Sequence, residues 1–265
     1  MRSKIIPESV MFLGDTHGDL KHLDWATNLA ERLEVDQIVQ VGDFGYWEHT
    51  RNGVEFLNIL DSRLEKVGRK IYWIDGNHEN HTKLRADYAS RDDGMVQIRP
   101  NIIYIPRGTR WEWGGVSFLG IGGAHSIDKK YRKEGVSWWP EEMITDEEVA
   151  LCAEGGPVDV VVAHDVPMFM NLSAHLWKIG VEPWRWYGES VENRSRLSQV
   201  FDAVKPKRWY HGHYHLRYTD SIDQCRFVGL GANINQYGDQ NWSWAQSAVV
   251  MSTDEVGKTG GLQGR

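Results

Sequence analysis

Cysteine is scarce in this sequence: Cys152 and Cys225 are its two thiols, far apart and without a CxxC partner. That excludes a disulfide framework and a zinc knuckle, and it suits a reducing compartment. Long apolar runs are missing too, none approaching the roughly 20 residues that span a bilayer. The early run at residues 10–13 is too short for the apolar region of a secretion signal and follows Pro7 and Glu8. A cytoplasmic location, away from membranes, is therefore expected. Nor is there an excess of positive charge. Against 37 Asp and Glu stand 30 Lys and Arg, a net charge of -7, which argues against a broad grip on duplex nucleic acid. Internal repeats and long polar blocks are also lacking, and 41% of the 265 residues are hydrophobic. That is enough for one substantial core. Residues 1–256 are expected to form a single domain, with the Gly-rich 257–265 as a flexible tail.

Apolar runs at residues 10–13, 38–41 and 71–74 stop at Gly14-Asp15, Gly42-Asp43 and Asp75-Gly76-Asn77. Each reads as a buried strand that delivers polar residues at its carboxyl end. Between them, residues 20–33 and 54–67 carry apolar side chains at three-and-four spacing, the mark of a helix packed on one face. The chain thus opens βαβαβ. Short strands follow at 96–98, 102–105, 109–113 and 116–121, the last two joined by the turn Trp113-Gly114-Gly115-Val116. A helix at 145–153, a strand at 158–163 ending before His164, a helix at 189–204 and a strand at 208–210 come next. Residues 219–251 read as further β-structure. Parallel βα units followed by strand-rich segments imply an α/β (α+β) fold, two mixed sheets packed as a sandwich with helices outside.

Asp15 and His17 are separated by one residue, as are His213 and His215. In an extended chain such positions share a face, so each pair can offer two ligands to one metal site. A single pair is an ordinary loop feature. The repetition is not ordinary: Asp15/His17, Asp43, Asn77/His78, His164 and His213/His215 all follow predicted strands, where α/β proteins gather their sites.

Taken in order, Gly14-Asp15-Thr16-His17-Gly18-Asp19, Gly42-Asp43, Gly76-Asn77-His78-Glu79, His164 and Gly212-His213-Tyr214-His215 resemble the motifs of the calcineurin-like metallophosphoesterase superfamily. The resemblance implies the αββα fold of that family and a pair of divalent ions. Asp15, His17, Asp43 and His215 would hold one ion, and Asp43, Asn77, His164 and His213 the other, with Asp43 as the bridge. Carboxylate, imidazole and amide donors without thiolate suit Mn, with Fe, Zn, Co and Ni as alternatives. Two divalent ions outweigh the charges of Asp15, Asp43 and a bridging hydroxide nucleophile. The centre would stay cationic within an acidic protein and attract phosphate. By the same resemblance His78 would protonate or hydrogen-bond the leaving oxygen, a role that suits an imidazole with a pKa of about 7.

Other residues carry weaker signals. His125, with Lys129, Lys130 and Arg132, lies in a Gly-rich stretch that reads either as a substrate contact or as a solvated surface loop. Asn77, His78 and His125 are the candidate substrate-binding set. Trp138, Trp139, Trp184 and Trp186 could stack a nucleobase or cover a small core. Asp75 and Glu79 suit turn-forming or supporting roles, one of them orienting His78; Asp19 and Asp165 suit solvated or hydrogen-bonding roles, and His211 a structural one. The expected function is a phosphodiesterase acting on a small nucleotide-like ester, cyclic nucleotides among them. A phosphomonoesterase acting on protein or small molecules is the alternative. The Asp-Arg pair usual in the superfamily's protein phosphatases is absent after Asp43, where Phe44-Gly45 stands instead. A non-catalytic scaffold of the same fold usually loses ligands, and none of the motif ligands is missing here.

Overall fold

The computed structural model describes residues 7–86, 91–178 and 190–257. Among them, two six-stranded sheets share one plan. In the first, β1 (Ser9–Leu13), β2 (Gln37–Gln40), β3 (Ile71–Trp73) and β5 (Ile102–Tyr104) run parallel, and β4 (Val96–Arg99) and β12 (Ala248–Ser252) close the edges antiparallel. In the second, β7 (Val116–Ile121), β8 (Val160–Ala163), β9 (Arg208–His211) and β11 (Cys225–Gly229) are the parallel centre. There β6 (Arg110–Trp113) and β10 (Tyr218–Ile222) form the antiparallel edges. The helices are α1 (Leu20–Arg32), α2 (Arg51–Lys66), α3 (His81–Ala86), α4 (Asp146–Ala153), α5 (Ser173–Lys178), α6 (Val191–Val204) and α7 (Asp254–Gly257).

Strand alternation sorts the apolar residues into layers, because successive side chains point to opposite faces. Val10 and Phe12 of β1 join Val39, Ile103, Phe118, Val162 and Tyr210 between the sheets, where Phe12 stacks on Tyr210 at 3.8 Å. Met11 and Leu13 point the other way, onto Leu23 and Ala26 of α1 and Leu57 and Leu60 of α2. On β8, Val160 and Val162 face the inter-sheet core, while Val161 and Ala163 pack on Leu197, Val200 and Val204 of α6. The result is the expected helix, sheet, sheet, helix sandwich. Burying each of the Val, Leu, Ile, Met and Phe side chains among these contributes about 1.5–3 kcal/mol, so a one-residue slip of a central strand would expose one layer entirely.

Caps explain where the helices begin. Asp19 accepts from the backbone N–H groups of Lys21 and His22 and starts α1, a hydrogen-bonding role as expected. The Thr50 hydroxyl accepts from Gly53 N at 2.9 Å, so α2 starts at Arg51, three residues before its apolar period becomes visible. Thr145 and Glu148 form a reciprocal capping box on α4. The β-rich expectation for 219–251 holds for β10, β11 and β12 but not between them. After Gly229 the chain has no further strand until Ala248, and a 3₁₀ turn at Trp244–Ser247 interrupts it. Gly257, expected in the tail, closes α7. Trp184, Trp186 and residues 258–265 lie outside the described residues. Cys152 and Cys225 are buried free thiols, each pushed up to about 12 chiefly by burial. No described helix is long and apolar enough to cross a membrane.

Candidate metal centre

The ends of β1, β2 and β3 in one sheet and of β8 and β9 in the other deliver their loops to a common place. Backbone hydrogen bonds lock those loops together: Thr16 N and His17 N both donate to Asp43 O, at 3.2 and 2.8 Å. Buried Gln40 joins the same two loops, its amide donating to Gly14 O and Gly42 O while its oxygen accepts from Gly42 N. Close approach dictates two of the motif glycines. A Cβ on Gly212 would stand 2.0 Å from Asp15 Oδ1, and one on Gly76 would stand 2.2 Å from Asp43 Oδ1.

The one-residue spacing works differently from the extended-chain expectation. His17, Asp43, His213 and His215 all have positive φ, from 43° to 67°. The backbone therefore coils at each of these residues, and the paired side chains converge from tight turns rather than from one face of a strand. A left-handed backbone at a non-glycine residue is strained and persists only where the surroundings enforce it, commonly at functional sites.

Ligand atoms of Asp15, His17, Asp43 and His215 lie within 4.8 Å of one another. His215 Nε2 is 3.0 Å from Asp15 Oδ2 and 3.2 Å from His17 Nε2. A second group shares Asp43: His164 Nε2 lies 3.4 Å from Asp43 Oδ2 and 3.2 Å from Asn77 Oδ1, with the His213 ring 5.1 Å from that of His164. Tautomers decide what this group can bind. His164 Nδ1 donates to Val41 O at 2.8 Å, which leaves a lone pair on Nε2 in the neutral ring. The Asn77 amide nitrogen is spent on Ser126 Oγ at 2.9 Å, so its oxygen is the atom turned to His164. Three acceptors meet, and a cation is what such a meeting fits. Burial opposes a charge on His164, but the neighbouring Asp43 carboxylate pulls its pKa up to about 10.

The carboxylates are held ready for charge. Asp15 accepts from His213 N at 3.2 and 3.1 Å, and Asp43 Oδ1 accepts from His78 N at 2.9 Å. Burial alone would raise both, yet the His215 hydrogen bond holds Asp15 below the usual range and His78 and His164 hold Asp43 well below it. His213 is driven well below its usual value by burial and then by His164.

The chain belongs to the calcineurin-like phosphoesterase family. The model of that family, described as calcineurin-like phosphoesterase, matches residues 9–217, a span that holds every donor named above. Members carry a binuclear divalent metal centre, and this chain has a candidate ligand cluster in Asp15, His17, Asp43 and His215. Lariat debranching enzymes of Schizosaccharomyces pombe and Entamoeba histolytica are 25% and 20% identical over 231 and 223 residues. These matches cover 78% and 81% of this chain but only 48% and 58% of the relatives. The chain therefore spans about half the length of the curated relatives it matches. A crystal structure from Thermus thermophilus superposes with a TM-score of 0.50 at 13% identity, covering 93% of this chain and 99% of that one, which is a likeness of fold.

Around these donors the calcineurin-like phosphoesterase fold places the remaining candidates. His78 keeps 33% of its side chain exposed, with Nε2 3.8 Å from Asp43 Oδ2. Burial, offset by Asp43 and reinforced by Arg132, takes its pKa down to about 4, below the value of about 7 that suits an imidazolium acid. Neither Asp75 nor Glu79 orients it; Arg132 Nη2 lies 2.7 Å from His78 Nε2. Glu79 instead accepts from Gly45 N and Gly76 N, and burial followed by Asp43 pushes it up to about 8. Asp75 is buried against Arg107 and Tyr104. His125 is buried beside Glu142, its Nδ1 4.0 Å from Oε1, in the loop whose Ser126 holds Asn77. Glu142 accepts from both the N–H and the hydroxyl of Ser126, so it fixes Asn77 at one remove; nothing local in the sequence signals that. Asp165 is fully buried and takes hydrogen bonds from Tyr214 Oη, Asn193 Nδ2 and Val166 N. His211 pairs with Tyr218 Oη at 2.7 Å.

Proposed function

We propose that this chain is a two-metal phosphodiesterase acting on a small, nucleotide-like phosphate ester. Asp15, His17, Asp43 and His215 hold one divalent ion in this reading, and Asp43, Asn77, His164 and His213 the other. The observation that carries it is the convergence of two acceptor-rich groups on one shared carboxylate, Asp43. Manganese is the proposed ion; Fe, Zn, Co and Ni are the alternatives that oxygen and nitrogen donors accept. When bound, such ions supply positive charge for the phosphoryl oxygens and make water a nucleophile near neutral pH.

The protein's own part is positioning. Backbone N–H groups fix Asp15 and Asp43, and Ser126 and Val41 fix Asn77 and His164. Such supports set ligand direction before anything binds. His78 stands at the edge of the site as a neutral imidazole at pH 7, since its pKa is lowered to about 4. Its proposed task is a hydrogen bond at the leaving oxygen rather than delivery of a proton from an imidazolium. Two relatives named lariat debranching enzymes are compatible with a substrate that bears nucleotides.

The test is hydrolysis of bis-p-nitrophenyl phosphate by protein stripped of metal and reloaded with Mn. Activity that disappears on chelation, returns with Mn and exceeds that on p-nitrophenyl phosphate and phosphopeptides is expected. Preference for the phosphopeptides would move the reading to a protein phosphatase.

A further inference from the structure

Beside His78 runs a groove of about 590 Å³ lined by Trp47, His49, Arg132, Val136 and Trp139, within the roughly 300–1,000 Å³ typical of small-ligand sites. Its walls are braced. Trp47 Nε1 donates to His78 O at 2.7 Å, and His49 Nδ1 lies 2.8 Å from the amide of Asn80 with its ring edge-on to Trp139 at 5.5 Å. At the inner end Arg132, 10% exposed along its side chain, is paired through Nε with Asp128 at 2.7 Å. Among the described residues, these two opposite charges are the only ones of fixed sign lining the groove, so its own walls carry almost no net charge. A second phosphate or a charged peptide side chain finds no unpaired cation here. A neutral, planar ring finds the partly exposed Trp47 indole, the apolar Val136, and the Asn52 amide to meet its polar edge, while Trp139, 3% exposed, backs the wall from behind.

We propose that this groove is the subsite for the leaving alcohol of the substrate and that it takes a nucleoside, its base between Trp47 and Val136. The assignment rests on the phosphodiesterase reading, because His78 marks the leaving-group side. It accounts for the pairing of an aromatic slot with a braced histidine in a protein too acidic to hold a long polyanion by charge alone.

Adenosine, the bare leaving group, tests this directly. Titrated into the full chain, both metal-loaded and after chelation, adenosine should quench tryptophan fluorescence saturably, and ribose should not. Val136 is 53% exposed, so Val136→Asp should fold normally, and by making the apolar wall polar it should weaken adenosine binding roughly tenfold. Absence of saturable quenching, equal effects of ribose and adenosine, or unchanged affinity in Val136→Asp would each overturn the subsite. Binding after chelation is independent of catalysis. The subsite and the metal-dependent hydrolysis of bis-p-nitrophenyl phosphate can therefore fail separately.

Discussion

Asp43 bears the heaviest load of any single residue, since both donor groups include it while its backbone carbonyl anchors Thr16 and His17. Asp43→Ala should therefore lose metal from both positions and with it all hydrolysis; elemental analysis after dialysis is the check. His78→Ala should keep its metal and slow turnover of poor leaving groups by about 10²- to 10³-fold, the usual cost of losing one hydrogen bond to a developing oxyanion. Nitrophenyl esters, whose leaving groups need little help, should suffer less. Gly212→Ala separates ligand chemistry from ligand placement. It changes no donor, but its Cβ would sit 2.0 Å from Asp15 Oδ1, so metal content should fall while the fold loses about 1–3 kcal/mol, the usual cost of overpacking.

At the level of elements, strands that end in polar motifs are legible because an apolar run followed by Gly-Asp or Gly-Asn has few other uses. The stretch after Gly229 was harder to read. Ile234, Trp242 and Trp244 look like strand residues, yet Trp244 Nε1 donates to Asn233 O and its ring packs on His22 and Trp25 of α1. Tertiary contacts decide there, and local pattern does not. His22 itself ties α1 to that segment through Ser247 Oγ at 2.7 Å, and burial takes its pKa down to about 4. Unfolded, the ring titrates at about 6.5. Between those values the unfolded chain binds more protons, so this contribution is complete above about pH 6.5 and is lost as pH falls toward 4, up to about 3 kcal/mol. Urea midpoints at pH 7 and pH 5 should lie closer together in His22→Gln than in the unaltered protein.

Across the molecule, the two sheets contribute unequal halves of one site. Asp15, His17, Asp43 and Asn77 come from loops of the first, and His164, His213 and His215 from loops of the second. Position after predicted strands nominates these seven together with His78, and the resemblance to the calcineurin-like motifs is what separates the seven as ligands. The left-handed backbone at His17, Asp43, His213 and His215 was not visible, since residue type alone does not reveal a strained φ. Nor was the support from Glu142 through Ser126, which depends on a loop brought from across the fold. Ions that bind both halves should clamp the sheets together. At about 100-fold excess over its dissociation constant each ion adds about 2.7 kcal/mol, so chelation should lower the melting temperature by about 5–10 °C per ion removed. The most direct measurement is anomalous diffraction from a Mn-loaded crystal. Two peaks are expected, one among Asp15, His17, Asp43 and His215 and one among Asp43, Asn77, His164 and His213. A single peak away from Asp43, or none after loading, would contradict the assignment.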